Sequence, residues 1–246
     1  MFFAFDVDGT LTPSRQKISN DFGKWFLDWI HSIQKNGKHS VLLVTGSDKP
    51  KTVEQLGDEI VDSVAYSCNC MGNTVFHYGK LVHDYKFVYP PELVYFLETE
   101  LKNSVYSERY GNHLEDRGAM FNFSTLGRNA SPEQRKRYHE WDTMSGERLE
   151  IARRINDRFN DDDIVAQVAG EIGIDITTRN KDKRQCIEYM QGDKIYFFGD
   201  RMDEQGNDKP LADVIETLQN GSKCFEVTGW EETWEILIDL MKKIDK

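Results

Sequence analysis

The chain opens on an unbroken apolar run, Met1-Phe2-Phe3-Ala4-Phe5, which Asp6 ends and Gly9-Thr10 turns. A short continuous run closed by a turn signal fits a strand buried on both faces, so Met1 to Phe5 is predicted as a strand of a parallel sheet. The period then changes. Phe22, Trp25, Phe26, Trp29, Ile30 and Ile33 recur at three- and four-residue steps, the stripe of an amphipathic helix packed on a sheet. Val41-Leu42-Leu43-Val44 is a second buried run and ends in the small polar turn Thr45-Gly46-Ser47-Asp48. Strand, helix, strand in this order predicts a parallel sheet.

From about Asp84 the pattern shifts. Tyr89-Pro90-Pro91 punctuates the chain, and a helical stripe follows through Leu93, Phe96, Leu97 and Leu101. Met120-Phe121-Asn122-Phe123-Ser124 alternates, as does Ile172-Gly173-Ile174-Asp175-Ile176-Thr177, whose isoleucines share one face with Asp175 on the other. These segments predict antiparallel strands with one polar face. Between them Ser131-Pro132-Glu133-Gln134 combines a cap residue, a proline at the first helical position and a glutamine three residues after the cap, so a charged helix starts there. Ile195-Tyr196-Phe197-Phe198 resumes the buried-strand pattern and ends in Gly199-Asp200. The predicted architecture is α/β, a Rossmann-like parallel-sheet core split by an inserted α+β unit. Its expected divisions are 1–83 and 185–246 for the core and 84–184 for the insertion.

With 246 residues the chain can bury a substantial core. Its apolar content of 39% and charged content of 30% suit a soluble protein, and no apolar run reaches the roughly 18 residues of a membrane span. The first run is cut short by Asp6 and has no basic leader, which reads as neither signal peptide nor anchor. A net charge of −11 argues against a sequence-independent grip on nucleic acid. Cys68, Cys70, Cys186 and Cys224 lack zinc-ribbon spacing and read as reduced thiols, so a cytoplasmic protein is expected.

Asp6 and Asp8 fall at the C-terminal end of a predicted strand, where open α/β sheets bind ligands. The bare motif also suits an ordinary strand exit with solvated acids. A carboxylate there can attack a phosphoryl group, but two adjacent anions would repel phosphate unless a hard cation neutralised them, so the motif implies magnesium. Four further elements end or follow strands: Ser47, Lys183 within Lys181-Asp182-Lys183-Arg184, Asp200, and Asn207-Asp208. Asp6, a backbone carbonyl near Asp8, Asp200, Asn207 and Asp208 are the candidate metal ligands. Ser47 and Lys183 would hold phosphoryl oxygens, and Asp8 would act as general acid and base.

These segments resemble the haloacid dehalogenase superfamily and, within it, the eukaryotic-type phosphomannomutase family. The likeness is carried by Phe5 to Gln16 (FDVDGTLTPSRQ), Gly46 to Asp48 leading to Glu54-Gln55-Leu56-Gly57, Ile195 to Asp200 (IYFFGD), and Gly206-Asn207-Asp208. The resemblance implies a phosphohexomutase interconverting mannose or glucose 1- and 6-phosphates through an aspartyl phosphate on Asp6, with a hexose 1,6-bisphosphate as primer. It also implies that 84–184 is a cap whose Arg117, Arg128 and Arg135, with Arg15 from the core, grip sugar phosphate. Asn122, Gly173 and Asp175 complete that expected site, and a homodimer through the caps is implied. Gly173 stands where the family carries a serine, Asp203-Glu204-Gln205-Gly206 replaces a loop with proline and paired glycines, and Lys181 replaces a tryptophan. A sugar-phosphate phosphatase on the same fold is the alternative, and a catalytically silent sugar-phosphate binder a third possibility.

Overall fold

The computed structural model describes residues 1–204 and 206–244. Gln205, in the loop noted above, lies outside them. The chain divides into two units, Met1–Asp84 with Asn180–Lys246, and Tyr85–Arg179. The insertion therefore closes at Arg179, earlier than the expected 184, and Lys183 belongs to the first unit.

In the first unit the chain runs β1 (Phe2–Phe5), α1 (Asn20–Gln34), β2 (Ser40–Val44), α2 (Lys49–Leu56), α3 (Asp58–Ser63), β3 (Tyr66–Asn69), β4 (Thr74–His77) and β5 (Lys80–Asp84). The second unit contributes α4 (Pro91–Asn103), β6 (Leu114–Asp116), β7 (Phe121–Phe123), α5 (Pro132–Ser145), α6 (Glu147–Arg158), β8 (Ile164–Ala169) and β9 (Gly173–Thr178). The first then resumes with β10 (Ile195–Gly199), α7 (Lys209–Thr217), β11 (Lys223–Glu226) and α8 (Trp230–Ile244).

The first unit's sheet has the order β11-β10-β1-β2-β3-β4-β5, parallel from β11 to β3, with β4 and β5 antiparallel. Alternation on the strands assigns its two faces. Phe3 and Phe5 of β1 and Val41 and Leu43 of β2 pack with Phe22, Phe26, Trp29 and Ile30 of α1 and with Leu237 of α8. Ala4, Leu42 and Val44 face the other way, onto Leu211 and Ile215 of α7 and onto Cys186 and Met190. Each fully buried side chain of this size contributes about 1.5–3 kcal/mol relative to exposure, which is why both faces of the central strands are apolar.

The second unit is an antiparallel sheet in the order β6-β7-β9-β8. Phe121, Phe123, Ile174 and Ile176 point to one face and pack with Leu93 and Leu97 of α4 and Ile151 and Ile155 of α6. The strand register puts Glu115 opposite Asn122, Asn122 opposite Asp175, and Asp175 opposite Gln167. A polar row thus crosses the opposite face of the sheet. No helix among the described residues is long and apolar enough to cross a membrane.

Candidate active site

Asp6 follows β1 directly, and its N–H donates to the Phe198 carbonyl of β10 at 2.9 Å. β1 lies between β10 and β2, where the order of the parallel sheet reverses, so Asp6 leaves the sheet at its switch point. Asp200 leaves the neighbouring strand β10. Asp208 immediately precedes α7, and its Oδ2 accepts from the Arg201 N–H at 3.2 Å. The carboxylates of Asp6, Asp200 and Asp208 each offer an oxygen within 4.8 Å of the others. Gly9 makes room for this arrangement, with φ at 77° and with Asp200 so close that a β-carbon would overlap its carboxylate.

Lys183 begins a 3-10 segment, Lys183–Met190, rather than ending a strand. Asp182 caps that segment, accepting from the Arg184 N–H at 3.0 Å. The fully buried Lys183 ammonium donates to Asp6 Oδ1 at 2.6 Å and Asp208 Oδ1 at 2.7 Å. Burial alone would push the Lys183 ammonium down, but Asp208 and Asp6 outweigh it and hold the group above its ordinary range. For Asp6, burial pushes the carboxyl up, Lys183 opposes this, and Asp208 and Asp200 add to the rise. Asp200 is pushed up to about 6, by burial first and then by Asp208. Three acids gather about the single ammonium that bridges Asp6 and Asp208, so the cluster is rich in hard, negatively charged oxygen donors. That donor set fits magnesium.

The Asp8 carboxylate stands outside this group of three. Its Oδ1 accepts from the Arg15 N–H at 2.6 Å and from Gln55 Nε2 at 2.8 Å. Arg15, with φ at 59°, touches Asp8 through its backbone, while the residue itself is exposed. Ser47 follows β2 in the turn before α2, and its N–H donates to Thr45 Oγ1 at 3.1 Å. Asn207 places its side-chain amide 3.9 Å from where a β-carbon on Gly46 would lie, beside the Ser47 turn.

Several supporting residues carry no motif in the sequence. Cys70 and Met71 adopt positive φ of 48° and 60° directly after β3, a conformation that costs each about 1–3 kcal/mol. Hydrogen bonds hold them there. Cys70 N donates to the Ser47 carbonyl and Met71 N to the Thr45 carbonyl. Gln185 Nε2 donates to the Met71 carbonyl at 2.8 Å, and Asn73 Nδ2 to the carbonyls of Cys70 and Lys181. This short loop therefore ties the Ser47 turn to the segment that carries Lys183.

In the second unit Glu115 Oε2 accepts from Arg117 at 2.6 Å and pairs with Arg128 at 3.2 Å, so one carboxylate gathers two of the expected arginines. Arg135, in the first turn of α5, donates to the carbonyls of Arg128 at 2.6 Å and Ala130 at 3.0 Å. Asn122 Nδ2 donates to Asp175 Oδ1 at 2.6 Å. At Gly173 a β-carbon would sit 2.6 Å from Asn122 Nδ2 and 3.2 Å from the Ala169 carbonyl. The Asn122 amide thus fills the space that a side chain at 173 would need. Arg148, unremarkable in the sequence, is buried against Asp142 and donates to the carbonyls of Gly170 and Gly173, fixing the turn into β9.

A family model for eukaryotic phosphomannomutase matches residues 27–243, a stretch that starts beyond the Asp6-Val7-Asp8 motif. The phosphomannomutase of Encephalitozoon cuniculi is 33% identical over 84% of this chain and 82% of its own length. That of Saccharomyces cerevisiae is 32% identical over 96% of this chain and 92% of its own. Among solved structures, the C-terminal domain of a Candida albicans trehalose-6-phosphate phosphatase aligns with a TM-score of 0.63 at 13% identity, over 93% of this chain and 79% of that one. A haloacid dehalogenase-like hydrolase from Bacteroides thetaiotaomicron gives 0.58 at 14% identity, over 86% and 84%. At such identities the structural likeness speaks for the fold alone. The sequence matches go further, and the chain belongs to the eukaryotic phosphomannomutase family of enzymes.

Proposed function

We propose that this chain is a magnesium-dependent phosphohexomutase that interconverts hexose 1- and 6-phosphates, with mannose and glucose as the candidate sugars. The observation that carries the proposal is the buried cluster in which Lys183 bridges Asp6 and Asp208 with Asp200 alongside. The nucleophile would be Asp6. Lys183 engages its Oδ1 and favours the ionised form, which attack on phosphorus requires. As the bond from Asp6 to phosphorus forms, the bond from phosphorus to the sugar oxygen breaks, and Asp8 gives that oxygen its proton. In the return step the free 1- or 6-hydroxyl of a hexose monophosphate gives its proton to Asp8 and bonds to phosphorus, while the bond from phosphorus to Asp6 breaks and releases the carboxylate, yielding the bisphosphate. Ser47 and Lys183 would bind the phosphoryl oxygens.

Asp6, Asp200 and Asp208, with Asn207 and the backbone at Asp8, would hold magnesium. When bound, it would neutralise charge between the acids and the anionic substrate. In the second unit Arg117, Arg128 and Arg135, with Asn122, Asp175 and the backbone at Gly173, would grip the phosphate that is not being transferred, and Arg15 would assist from the first. A hexose 1,6-bisphosphate would prime Asp6, and the protein would act in the cytoplasm as a homodimer formed through the second unit.

Phosphorus NMR with magnesium and mannose 1-phosphate, with and without glucose 1,6-bisphosphate, tests the proposal. Mannose 6-phosphate that appears only with the bisphosphate supports it, with Asp6→Asn expected to abolish conversion. Free phosphate without isomerisation overturns it in favour of a sugar-phosphate phosphatase.

A further inference from the structure

Gln55 lies in the last turn of α2 and is buried with Thr52 and Leu56 on one face of that helix. Its Nε2 lies 2.8 Å from Asp8 Oδ1, 3.2 Å from Thr12 Oγ1 and 3.4 Å from the Gln16 carbonyl. A carboxylate and a carbonyl can only accept, so the orientation of the amide is fixed: its nitrogen faces Asp8. The Arg15 N–H donates to the same oxygen at 2.6 Å. Both donors thus converge on Oδ1, and neither engages Oδ2. The other end of α2 is fixed as well, because Asp48, next to Ser47, caps it by accepting from the Lys51 N–H at 2.9 Å. Thr52 adds a buried bond to Asn69 at 2.9 Å.

From this geometry we infer that Gln55 is a positioning residue for Asp8, anchoring Oδ1 so that Oδ2 is presented for proton transfer. The inference rests on the assignment of Asp8 as general acid and base. A carboxylate anchored through one oxygen by a buried amide cannot rotate freely about its terminal bonds, so the transferring oxygen stays in one place. General acid–base catalysis contributes about 10²–10⁴-fold, and only a correctly held group delivers it. The sequence marks Gln55 only as part of Glu54-Gln55-Leu56-Gly57, and its bond to Asp8, 47 residues away, comes from the fold.

The test compares phosphorylation of Asp6 by two donors in single-turnover experiments with magnesium. Glucose 1,6-bisphosphate, the proposed primer, leaves a sugar hydroxyl that needs a proton, whereas p-nitrophenyl phosphate leaves a weakly basic phenolate that does not. Gln55→Met keeps the side-chain volume but removes the donor. It is expected to slow the step with glucose 1,6-bisphosphate by about 10-fold or more and the step with p-nitrophenyl phosphate by less than about 3-fold, with the half-saturating donor concentration little changed. Gln55→Glu, which sets a second carboxylate against Asp8, should show the same split. An equal loss with both donors would make Gln55 merely structural and overturn the inference, as would no loss with either. Asp8→Asn separates this from failure of the parent assignment. If it spares transfer from the bisphosphate, Asp8 is not the acid. If it alone shows the split, only the role of Gln55 falls. Absence of transfer from glucose 1,6-bisphosphate in the unsubstituted protein overturns both.

Discussion

Lys183 and Asp200 show how acids outnumber the cation that bridges them in the candidate site. Burial first, and then the negative charge of Asp208, keep Asp200 raised to about 6 from an ordinary value of 3.8, although Lys183 opposes the rise. A carboxyl whose folded value is raised binds its proton more tightly in the folded than in the unfolded chain. Stability is therefore lost as pH climbs from about 4 to about 6, and the cost stays in full above that. Magnesium bound to these acids would offset the cost, while protons compete for the same oxygens. Magnesium should accordingly raise the melting temperature clearly at pH about 7.5 and much less at pH about 5, on the acid side of Asp200. Asp200→Asn should melt higher than the parent without metal at the higher pH and should lose most of the magnesium increment. Differential scanning calorimetry at both pH values reads all of these outcomes. An increment independent of pH would remove Asp200 from the proposed metal site.

At the scale of elements, α5 shows how a helix start sets side-chain direction. Ser131 Oγ accepts from the Gln134 N–H, and Gln134 Oε1 accepts from the Ser131 N–H at 2.6 Å, closing the capping box. Arg135 leaves the first turn of this helix and bonds back to the carbonyls of Ala130 and Arg128. Ser131→Ala should cost about 1 kcal/mol in urea unfolding followed by circular dichroism. No change would mean that the box is redundant with the arginine bonds. This box was legible in the sequence, as were β1, β2, β10 and α1, because their apolar periods are long and uninterrupted. The strand β3 was not. Its Ser67 and Asn69 are fully buried polar residues that satisfy each other and Thr52, so the sequence reads as a loop. The edge strand β5 leaves Leu81 and Val82 about half exposed, which erases the alternation a strand would show. Of the candidate acids, Asp6 and Asp200 were visible because each directly follows a strand, whereas Asp208 precedes α7. The contacts of Gln55, Asn73, Gln185 and Arg148 were not visible, because their partners come from elements distant in sequence.

For the whole molecule, the two units differ in how the chain builds them. The first is discontinuous and needs both Met1–Asp84 and Asn180–Lys246 to complete its sheet, since β10 and β11 arrive last. The second is one continuous stretch with its own apolar core, from Phe87 to Ile176. Its two ends meet, because the Tyr85 hydroxyl lies 2.7 Å from Thr178 Oγ1. A continuous segment with a separate core and adjoining ends meets the physical conditions for folding alone. Residues 85–179 expressed by themselves should therefore unfold in one cooperative transition. The sequence supplies a convenient reporter, since Trp141 is the sole tryptophan of this stretch. It packs on Tyr106 at 4.9 Å and Tyr138 at 5.7 Å, where loss of tertiary packing would change its emission. Coincident urea transitions by Trp141 fluorescence and far-ultraviolet circular dichroism would establish the second unit as an autonomous domain. Helical signal without a cooperative fluorescence transition would mean that its core is completed only in the full chain. Arg117, Arg128 and Arg135, the expected arginines that this unit supplies, could then not be studied apart from the rest.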